Sequence, residues 1–194
     1  MSVRLVLFGP PGAGKGTQAA RICELLGVPA ISTGDIFRSN IKGGTELGRR
    51  VVEYTSVGAL VPDELTDELV RARLGEADAA DGFLLDGYPR NLAQVDALER
   101  ILADRGVRLD VVVEITADSD VVVDRLLKRA QIEGRVDDTE DVIRHRLDVY
   151  GEQTAPLADV YAERGLLVRV DGLGEIDEVT ARLVAAIEPA LNHR

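Results

Sequence analysis

The chain has few of the residues that form disulfides, zinc sites and membrane spans. Its 194 residues include one cysteine (Cys23), two histidines and no tryptophan. A single cysteine can form neither an internal disulfide nor a thiolate zinc site, so we expect no structural zinc and a reducing compartment, the cytoplasm. The sequence has no run of about 18 apolar residues, and Val3–Phe8 is too short for the core of a signal peptide. We therefore expect neither a membrane span nor a leader.

Positive charge is also scarce. Lysine and arginine together number 23 against 34 aspartates and glutamates, and the formal net charge is −11. Duplex DNA and anionic lipid surfaces bind proteins through a basic face, so we expect no nucleic-acid or membrane partner. A local cationic pocket can still hold a small anionic ligand. Because the only lysines are Lys15, Lys42 and Lys128, position rather than number must identify a functional cation.

Short apolar runs alternate with helical patterns along the chain. Runs that are continuously apolar and separated by helices predict an α/β fold, in which a five-stranded parallel sheet is flanked by helices in three layers. Residues 32–81 have a helical pattern without a convincing strand, and residues 129–138 form a short polar loop, so both indicate insertions at the sheet edge. The predicted strands are Val3–Phe8, Pro29–Ser32, Gly82–Gly87, Leu109–Ile115 and Leu166–Gly172.

Helix ends are marked by capping residues. The pattern over Gly14–Gly27 predicts a helix that ends at Gly27, and Asn91–Gly106 predicts an amphipathic helix with an asparagine cap and a glycine stop. The acidic run Asp137–Asp141 favours the start of a helix, because carboxylates complement the helix dipole there.

A glycine-rich loop follows the first predicted strand. The segment GPPGAGKGT (Gly9–Thr17) matches the phosphate-binding pattern G-x-x-x-x-G-K between a strand and a helix. Its glycines allow successive N–H groups to turn inward, and Lys15 adds a full positive charge. The alternative is a Gly-Pro turn that only joins two elements. Gly16 stands where this pattern usually has the Mg²⁺-binding hydroxyl, which argues against a GTPase-type site, as does the absence of an N-K-x-D motif.

Six segments, in order along the chain, resemble the adenylate kinase family of nucleoside monophosphate kinases. The resemblance implies a P-loop fold and the reaction of ATP with AMP to give two ADP, with Mg²⁺ and a monomeric enzyme. It also implies a core formed by residues 1–31, 62–129 and 138–194, an AMP-binding insertion at 32–61 and a short lid at 130–137. The six segments are GPPGAGKGT, STGDIFR (Ser32–Arg38), GALVPDELT (Gly58–Thr66), LLDGYPRNLAQ (Leu84–Gln94), VDRLLKR (Val123–Arg129) and TAPL (Thr154–Leu157).

The resemblance also implies roles for individual residues. Asp86 resembles the carboxylate that orients Mg²⁺ through water. For ATP the implied contacts are Gly12, Ala13, Gly14, Lys15, Gly16, Thr17, Arg129 and Gly174. For AMP they are Thr33, Arg38, Ala59, Leu60, Val61, Gly87, Tyr88, Pro89, Arg90, Gln94, Arg135 and Arg146. The residues expected to act in catalysis are Lys15, Arg90, Arg125, Arg135 and Arg146.

The chemistry of this reaction agrees with the residues present. The acceptor phosphate is already negative, so no general base is required, and neither His145 nor His193 is placed as one. Catalysis must come from aligning two nucleotides and screening their charge, which favours arginine. Arg125 and Arg129 lie four residues apart on one predicted helix face, where a bound phosphate would relieve their repulsion. Two solvated arginines are the alternative reading of that spacing.

Two rival functions differ from this one in testable ways. A UMP/CMP kinase shares the fold and the short lid, but such enzymes tend to have alanine at the position of Thr33 and asparagine at that of Gln94. The amide of Gln94 offers a donor and an acceptor that match the edge of adenine. A non-catalytic ATP-sensing P-loop module has little reason to keep arginines at the phosphate-facing positions, and it would bind ATP without AMP-dependent formation of ADP.

Overall fold

A parallel five-stranded sheet forms the centre of the protein. The computed structural model of the chain describes residues 3–133 and 139–192. The strands are β1 (Arg4–Phe8), β2 (Ala30–Ser32), β3 (Phe83–Asp86), β4 (Val111–Thr116) and β5 (Leu167–Asp171). Their order across the sheet is β2-β3-β1-β4-β5, and each neighbouring pair is parallel. The predicted α/β fold is therefore confirmed.

Helices connect the strands and cover both faces of the sheet. The α-helices of the described residues are α1 (Lys15–Leu26), α2 (Thr33–Lys42), α3 (Glu46–Thr55), α4 (Asp63–Leu74), α5 (Leu92–Asp104), α6 (Ser119–Glu133), α7 (Glu140–Val149), α8 (Leu157–Glu163) and α9 (Ile176–Asn192). The predicted caps are present: Gly27 ends α1 in the left-handed conformation, and the side chain of Asn91 accepts a hydrogen bond from the backbone N–H of Gln94 at the start of α5.

Two apolar cores lie on opposite faces of the sheet. Within β1, Val6 and Phe8 belong to one core, whereas Leu5 and Leu7 belong to the other. This alternation follows from the two-residue period of a strand, and it explains why the strands are apolar at consecutive positions. Cys23 is buried in the second core.

The α2–α3 segment, residues 33–61, packs around a small core of its own. Phe37, Val51 and Val61 form a separate buried cluster there. A Cβ at Gly48 would lie 2.2 Å from the carbonyl oxygen of Asn40, so α2 and α3 approach each other at a point where only glycine fits. Between β2 and β3 the chain forms helices α2, α3 and α4, in agreement with the helical pattern predicted for residues 32–81. No helix of the described residues is long and apolar enough to cross a membrane.

The carboxyl ends of the strands converge on one edge of the sheet. Asp86 at the end of β3 is in register with Leu7 of β1 and with Ser32 of β2. The segments that follow these three strands therefore begin side by side. Ligands of open parallel sheets bind at such an edge, where neighbouring connections leave in opposite directions.

Candidate active site

The loop between β1 and α1 is shaped by glycines with left-handed backbone. Gly12 has φ +83° and Gly14, which caps α1, has φ +91°. A Cβ at Gly12 would lie 2.8 Å from the carbonyl oxygen of Val122 in α6. The Cβ positions of Gly14 and Gly16 have no neighbouring atom within 4 Å. One side of the loop thus packs against α6 while the start of α1 faces open space, where its first N–H groups can bind an anion. Within this motif Ala13 is buried and Thr17 is exposed.

The ammonium group of Lys15 is held by its own loop. Its Nζ donates hydrogen bonds to the carbonyl oxygens of Gly9 at 2.9 Å and Pro10 at 3.0 Å. The pKa of Lys15 is lowered to about 8, and the largest cause is desolvation. The charges of Arg90, Arg129 and Arg146 act in the same direction, whereas that of Asp86 acts to raise the pKa.

Asp86 is the carboxylate among these cations. It is buried at the end of β3, and this burial raises its pKa, while the positive charges of Lys15 and Arg90 act in the opposite direction. Lys15 thus shares one electrostatic neighbourhood with this buried acid and with three arginines predicted for the site, Arg90, Arg129 and Arg146.

The turn after β3 is held by hydrogen bonds to its backbone. The carbonyl oxygen of Gly87 accepts from the side-chain Nε of Arg90 at 2.8 Å and from Oγ1 of Thr33 at 3.0 Å. A Cβ at Gly87, which has φ +80°, would lie 2.9 Å from the Arg90 guanidinium. The carbonyl of Arg90 accepts from Oγ1 of Thr154 at 2.7 Å. The intervening residues Tyr88 and Pro89 are buried and joined by a cis peptide bond.

Arg38 lies at the edge of this neighbourhood. Its guanidinium forms an ion pair with Asp35 one turn earlier in α2. Its positive charge acts to lower the pKa of both Asp86 and Arg90. Arg38 and Thr33 therefore reach the same region from α2.

Gln94 is buried, with only 2% of its surface exposed, and both polar atoms of its amide are bonded. Its Oε1 accepts from the backbone N–H of Arg90 at 2.8 Å. Its Nε2 donates to Oδ1 of Asp63 at 2.7 Å. The motif predicts Gln94 at the acceptor base, but no pattern in the sequence indicates the carboxylate that holds its amide.

The two arginines of α6 have different surroundings. The positive charge of Arg129 lowers the pKa of Lys15. Arg125 donates a hydrogen bond from Nη1 to the carbonyl oxygen of Gly172 at 3.3 Å, beyond the end of β5. The predicted pair is therefore present on one helix, and its members reach toward different loops of the site.

Helix α7 brings Arg146 to the cluster and contacts the α2–α3 segment. A Cβ at Gly58, which has φ +79°, would lie 3.0 Å from Cγ of Arg146 and 3.0 Å from the carbonyl oxygen of Val142. Gly58 directly precedes three predicted AMP contacts, of which Ala59 and Leu60 are half-buried and Val61 is buried. This turn therefore lies against the helix that carries Arg146.

The loop after β5 is held by Arg182 of α9. Nη1 of Arg182 donates to the carbonyl oxygens of Leu173 at 2.6 Å and Asp171 at 2.9 Å. Gly174 in this loop has φ +116°, and a Cβ there would lie 2.8 Å from a carboxylate oxygen of Glu178. Sequence reasoning placed Gly174 here but missed Arg182.

Other sequence predictions have mixed outcomes. His145 is exposed, in keeping with its exclusion as a base. Arg135, His193 and residues 134–137 of the predicted lid lie outside the described residues, whereas residues 130–133, expected to belong to a polar loop, continue helix α6. The hydrogen bonds of Thr154 to Arg90 and of Gln94 to Asp63 could not be predicted from the sequence. Both Thr154 and Asp63 nevertheless lie in segments that carry the family resemblance.

Comparison with known proteins gives one consistent family. The family model described as adenylate kinase matches residues 7–166. The adenylate kinase of Kocuria rhizophila is 67% identical over 185 residues, which cover 95% of this chain and 98% of that protein. The adenylate kinase of Nocardioides sp. strain JS614 is 58% identical, with 96% and 97% of the two chains covered. That of Thermobifida fusca is 56% identical, with 96% and 98% covered.

Proposed function

The chain belongs to the adenylate kinase family and is a phosphotransferase that moves the terminal phosphate of ATP to AMP, and we propose that it does so with the residues gathered around Lys15. The observation that carries this assignment of residues is the cluster of cations at the carboxyl edge of the sheet. The positive charges of Arg90, Arg129 and Arg146 each lower the pKa of Lys15, and that of Arg146 also lowers the pKa of Arg90. Such a cluster of positive charges favours the binding of an anion, and two nucleotides carry many phosphate charges.

The donor nucleotide binds on the side of the glycine loop. Gly12 to Thr17 would surround the ATP phosphates with backbone N–H groups, and Lys15 would leave its loop carbonyls to bind them. Arg129 and Arg125 of α6 flank that position. Gly174 would lie against the adenine, in the loop that Arg125 and Arg182 hold.

The acceptor nucleotide binds on the side of β2 and β3. Thr33, Arg38 and the Gly87–Arg90 turn are joined by hydrogen bonds or charge. The backbone of Ala59–Val61 and the amide of Gln94 would contact the adenine of AMP. Arg146, and Arg135 from the residues before α7, would bind phosphates between the two sites.

Transfer between these sites requires alignment and charge screening. The attacking oxygen belongs to a phosphate that is already ionised, so no side chain has to remove a proton. Lys15, Arg90 and Arg146 would neutralise charge on the transferring group, which moves through a loose, in-line transition state. Arginine suits this task because its charge does not titrate and its planar group binds two oxygens.

The residues present fit a magnesium ion that is held mainly by nucleotide. No group of three or more His, Cys, Asp or Glu side chains within residues 3–133 and 139–192 could hold a metal. Mg²⁺ usually keeps several waters and binds through one or two carboxylates together with substrate phosphates. Asp86, buried beside Lys15, is the carboxylate that would hold such an ion through water, and the ion would supply further charge neutralisation on the phosphates.

The remaining features of the proposal follow from the family. The core would comprise 1–31, 62–129 and 138–194, with the acceptor segment at 32–61 and a short lid at 130–137. We expect a monomer in the cytoplasm that binds ATP, AMP and ADP.

A single assay tests the acceptor. ATP is offered with AMP, CMP, UMP and GMP separately, and formation of ADP and of the acceptor's diphosphate is followed. Strong preference for AMP is expected, because Thr33 and Gln94 both have the form found in adenylate kinases. Equal or faster use of CMP or UMP would instead identify a pyrimidine nucleotide kinase, and binding of ATP without turnover would identify a sensing module.

A further inference from the structure

The orientation of the Gln94 amide is fixed by the chemistry of its partners. The backbone N–H of Arg90 is only a donor, so the Gln94 atom facing it at 2.8 Å must be the carbonyl oxygen. The carboxylate of Asp63 is only an acceptor, so the atom facing it at 2.7 Å must be the amide nitrogen. Each atom can form one further hydrogen bond, the oxygen through its second lone pair and the nitrogen through its second N–H. The amide therefore offers a ligand one acceptor and one donor in a fixed order.

This order matches one kind of purine edge and not the other. Adenine presents a 6-amino donor beside the acceptor N1, which pairs with the acceptor and donor that Gln94 retains. Hypoxanthine has the same ring size but presents the acceptor O6 beside an N1–H donor, the reversed order. A rotation of the Gln94 amide by 180° would exchange its preference between the two bases. Terminal amide torsions are broad and about two-fold, so only the partners of the amide prevent this rotation.

Asp63 is the stronger of the two partners that prevent it. Its Oδ1 accepts from Nε2 of Gln94 and also from Nδ2 of Asn91 at 2.9 Å. Hydrogen bonds to an ionised carboxylate are roughly twice as strong as those between neutral groups. Asp63 is the first residue of α4, where the helix dipole favours a negative charge. Reversal of the amide would set its carbonyl oxygen against this charge.

We propose that Asp63 is a positioning residue that determines acceptor-base specificity: its carboxylate, bonded to Gln94 and Asn91, fixes the Gln94 amide in the order that selects adenine over hypoxanthine. The inference rests on the proposed function, because it concerns the base of the acceptor nucleotide. Asp63 contacts no reacting group and acts only through Gln94.

The test compares AMP with inosine monophosphate as acceptors, with ATP as donor. In Asp63→Ala the ratio of kcat/KM for AMP over inosine monophosphate should fall by about tenfold, the factor that corresponds to about 1.4 kcal/mol. KM for AMP should rise while KM for ATP stays unchanged. Because the ratio is measured within one preparation, any loss of folded protein cancels.

Three variants separate positioning from general damage. Asp63→Asn keeps an acceptor oxygen of the same reach and should restore most of the ratio. Glu64→Ala removes the neighbouring carboxylate of the same helix turn, which is exposed, and should leave the ratio unchanged. In a Gln94→Ala background, Asp63→Ala should have no further effect on the ratio, because the two residues act as one unit.

The outcomes distinguish this inference from the proposed function. A wild-type enzyme that prefers AMP, together with an unchanged ratio in Asp63→Ala, would overturn the role of Asp63 alone. An equal fall of kcat/KM for both acceptors, with a rise of KM for ATP, would assign Asp63 a merely structural role. A wild-type enzyme without preference for AMP would overturn both.

Discussion

Lys15 donates hydrogen bonds to its own loop. The carbonyl oxygens of Gly9 and Pro10 satisfy two of its three donors, and nearby arginines oppose its charge. A phosphate that approaches the start of α1 offers Lys15 a fully charged acceptor, which forms a stronger hydrogen bond than a carbonyl. Binding of the donor nucleotide thus exchanges weak internal contacts for strong external ones.

Removal of this charge should abolish most activity without unfolding the protein. We expect Lys15→Met to lower kcat by about 10²–10³-fold, the range observed when one preorganised electrostatic group is lost. The measurement is ADP formation from ATP and AMP, with circular dichroism to check the fold. Lys42→Met is the matched control, because Lys42 is exposed on α2 and should retain normal turnover. Near-normal activity of folded Lys15→Met would remove Lys15 from the mechanism.

The lowered pKa of Lys15 predicts a pH dependence of ATP binding. Phosphate favours the charged form, so binding requires a proton once the free lysine is neutral, above its pKa of about 8. The dissociation constant of ATP should therefore rise by up to about tenfold per pH unit above pH 8.

Calorimetric titrations over a series of pH values measure this dependence, and Lys15→Met is its control. The variant should bind ATP weakly and show a flat profile across the same range. Cys23 does not interfere, because burial raises its pKa to about 11. Parallel pH profiles for the two proteins would contradict the prediction.

At the scale of elements, the turn at Gly58 links the α2–α3 segment to α7. Both Gly44 and Gly58 have positive φ, at +62° and +79°. The Cβ position of Gly44 is open, whereas that of Gly58 meets Arg146 and Val142 at 3.0 Å. The two glycines therefore separate the effect of backbone strain from the effect of contact with α7.

Substitution of each glycine by alanine tests that link. Both changes introduce roughly 1–2 kcal/mol of strain, because a Cβ disfavours the left-handed backbone. Only Gly58→Ala should also displace the segment from α7, so we expect its kcat/KM for AMP to fall about tenfold further than that of Gly44→Ala. Steady-state kinetics are compared with the melting temperatures of both variants. Equal kinetic losses would show that the contact with α7 is irrelevant to turnover.

Local signals predicted most of the elements. Strands with two buried faces, the stop at Gly27 and the cap at Asn91 depend on neighbouring residues, and they were found within two residues of their predicted positions. The acidic run Asp137–Asp141 is predicted to start a helix, and α7 begins within this run at Glu140, with Thr139 as its cap. The strand order could not be predicted in the same way, because it depends on which strands pair across long connections.

The candidate site was only partly predictable for the same reason. The positions of Lys15, Thr33 and Arg90 follow from motifs at strand ends. The bonds that hold them often join residues far apart in sequence, such as Thr154 with Arg90 and Gln94 with Asp63. Thr154 ends an irregular π-helical segment after α7, and no pattern of apolar residues indicates where such a segment directs a hydroxyl.

At the scale of the whole molecule, an acidic protein contains a local cluster of positive charge. The net charge is −11, yet Arg90, Arg129 and Arg146 act together with Asp86 on the pKa of Lys15. The net charge repels nonspecific polyanions, whereas the local cluster attracts a compact anion. Repulsion among its like charges opposes folding, and a bound anion offsets that repulsion.

Nucleotide binding should therefore stabilise the entire fold. At about 100 times its dissociation constant, ADP should raise the free energy of unfolding by about 2.7 kcal/mol, because it binds only the folded chain. Urea unfolding with and without ADP measures the difference. At the same ADP concentration Lys15→Met should gain much less, whereas Lys42→Met should match the wild type. Equal gains in all three proteins would place nucleotide binding away from the glycine loop.

The double role of Asn91 has a consequence for how such an enzyme can change. Its Oδ1 caps α5 and its Nδ2 bonds to the oxygen of Asp63 that also holds Gln94. A mutation of Asn91 therefore changes both the stability of α5 and the selection of the acceptor base. A lineage that acquires a new acceptor base has to change several of these side chains in concert, and its intermediates would be both less stable and less selective.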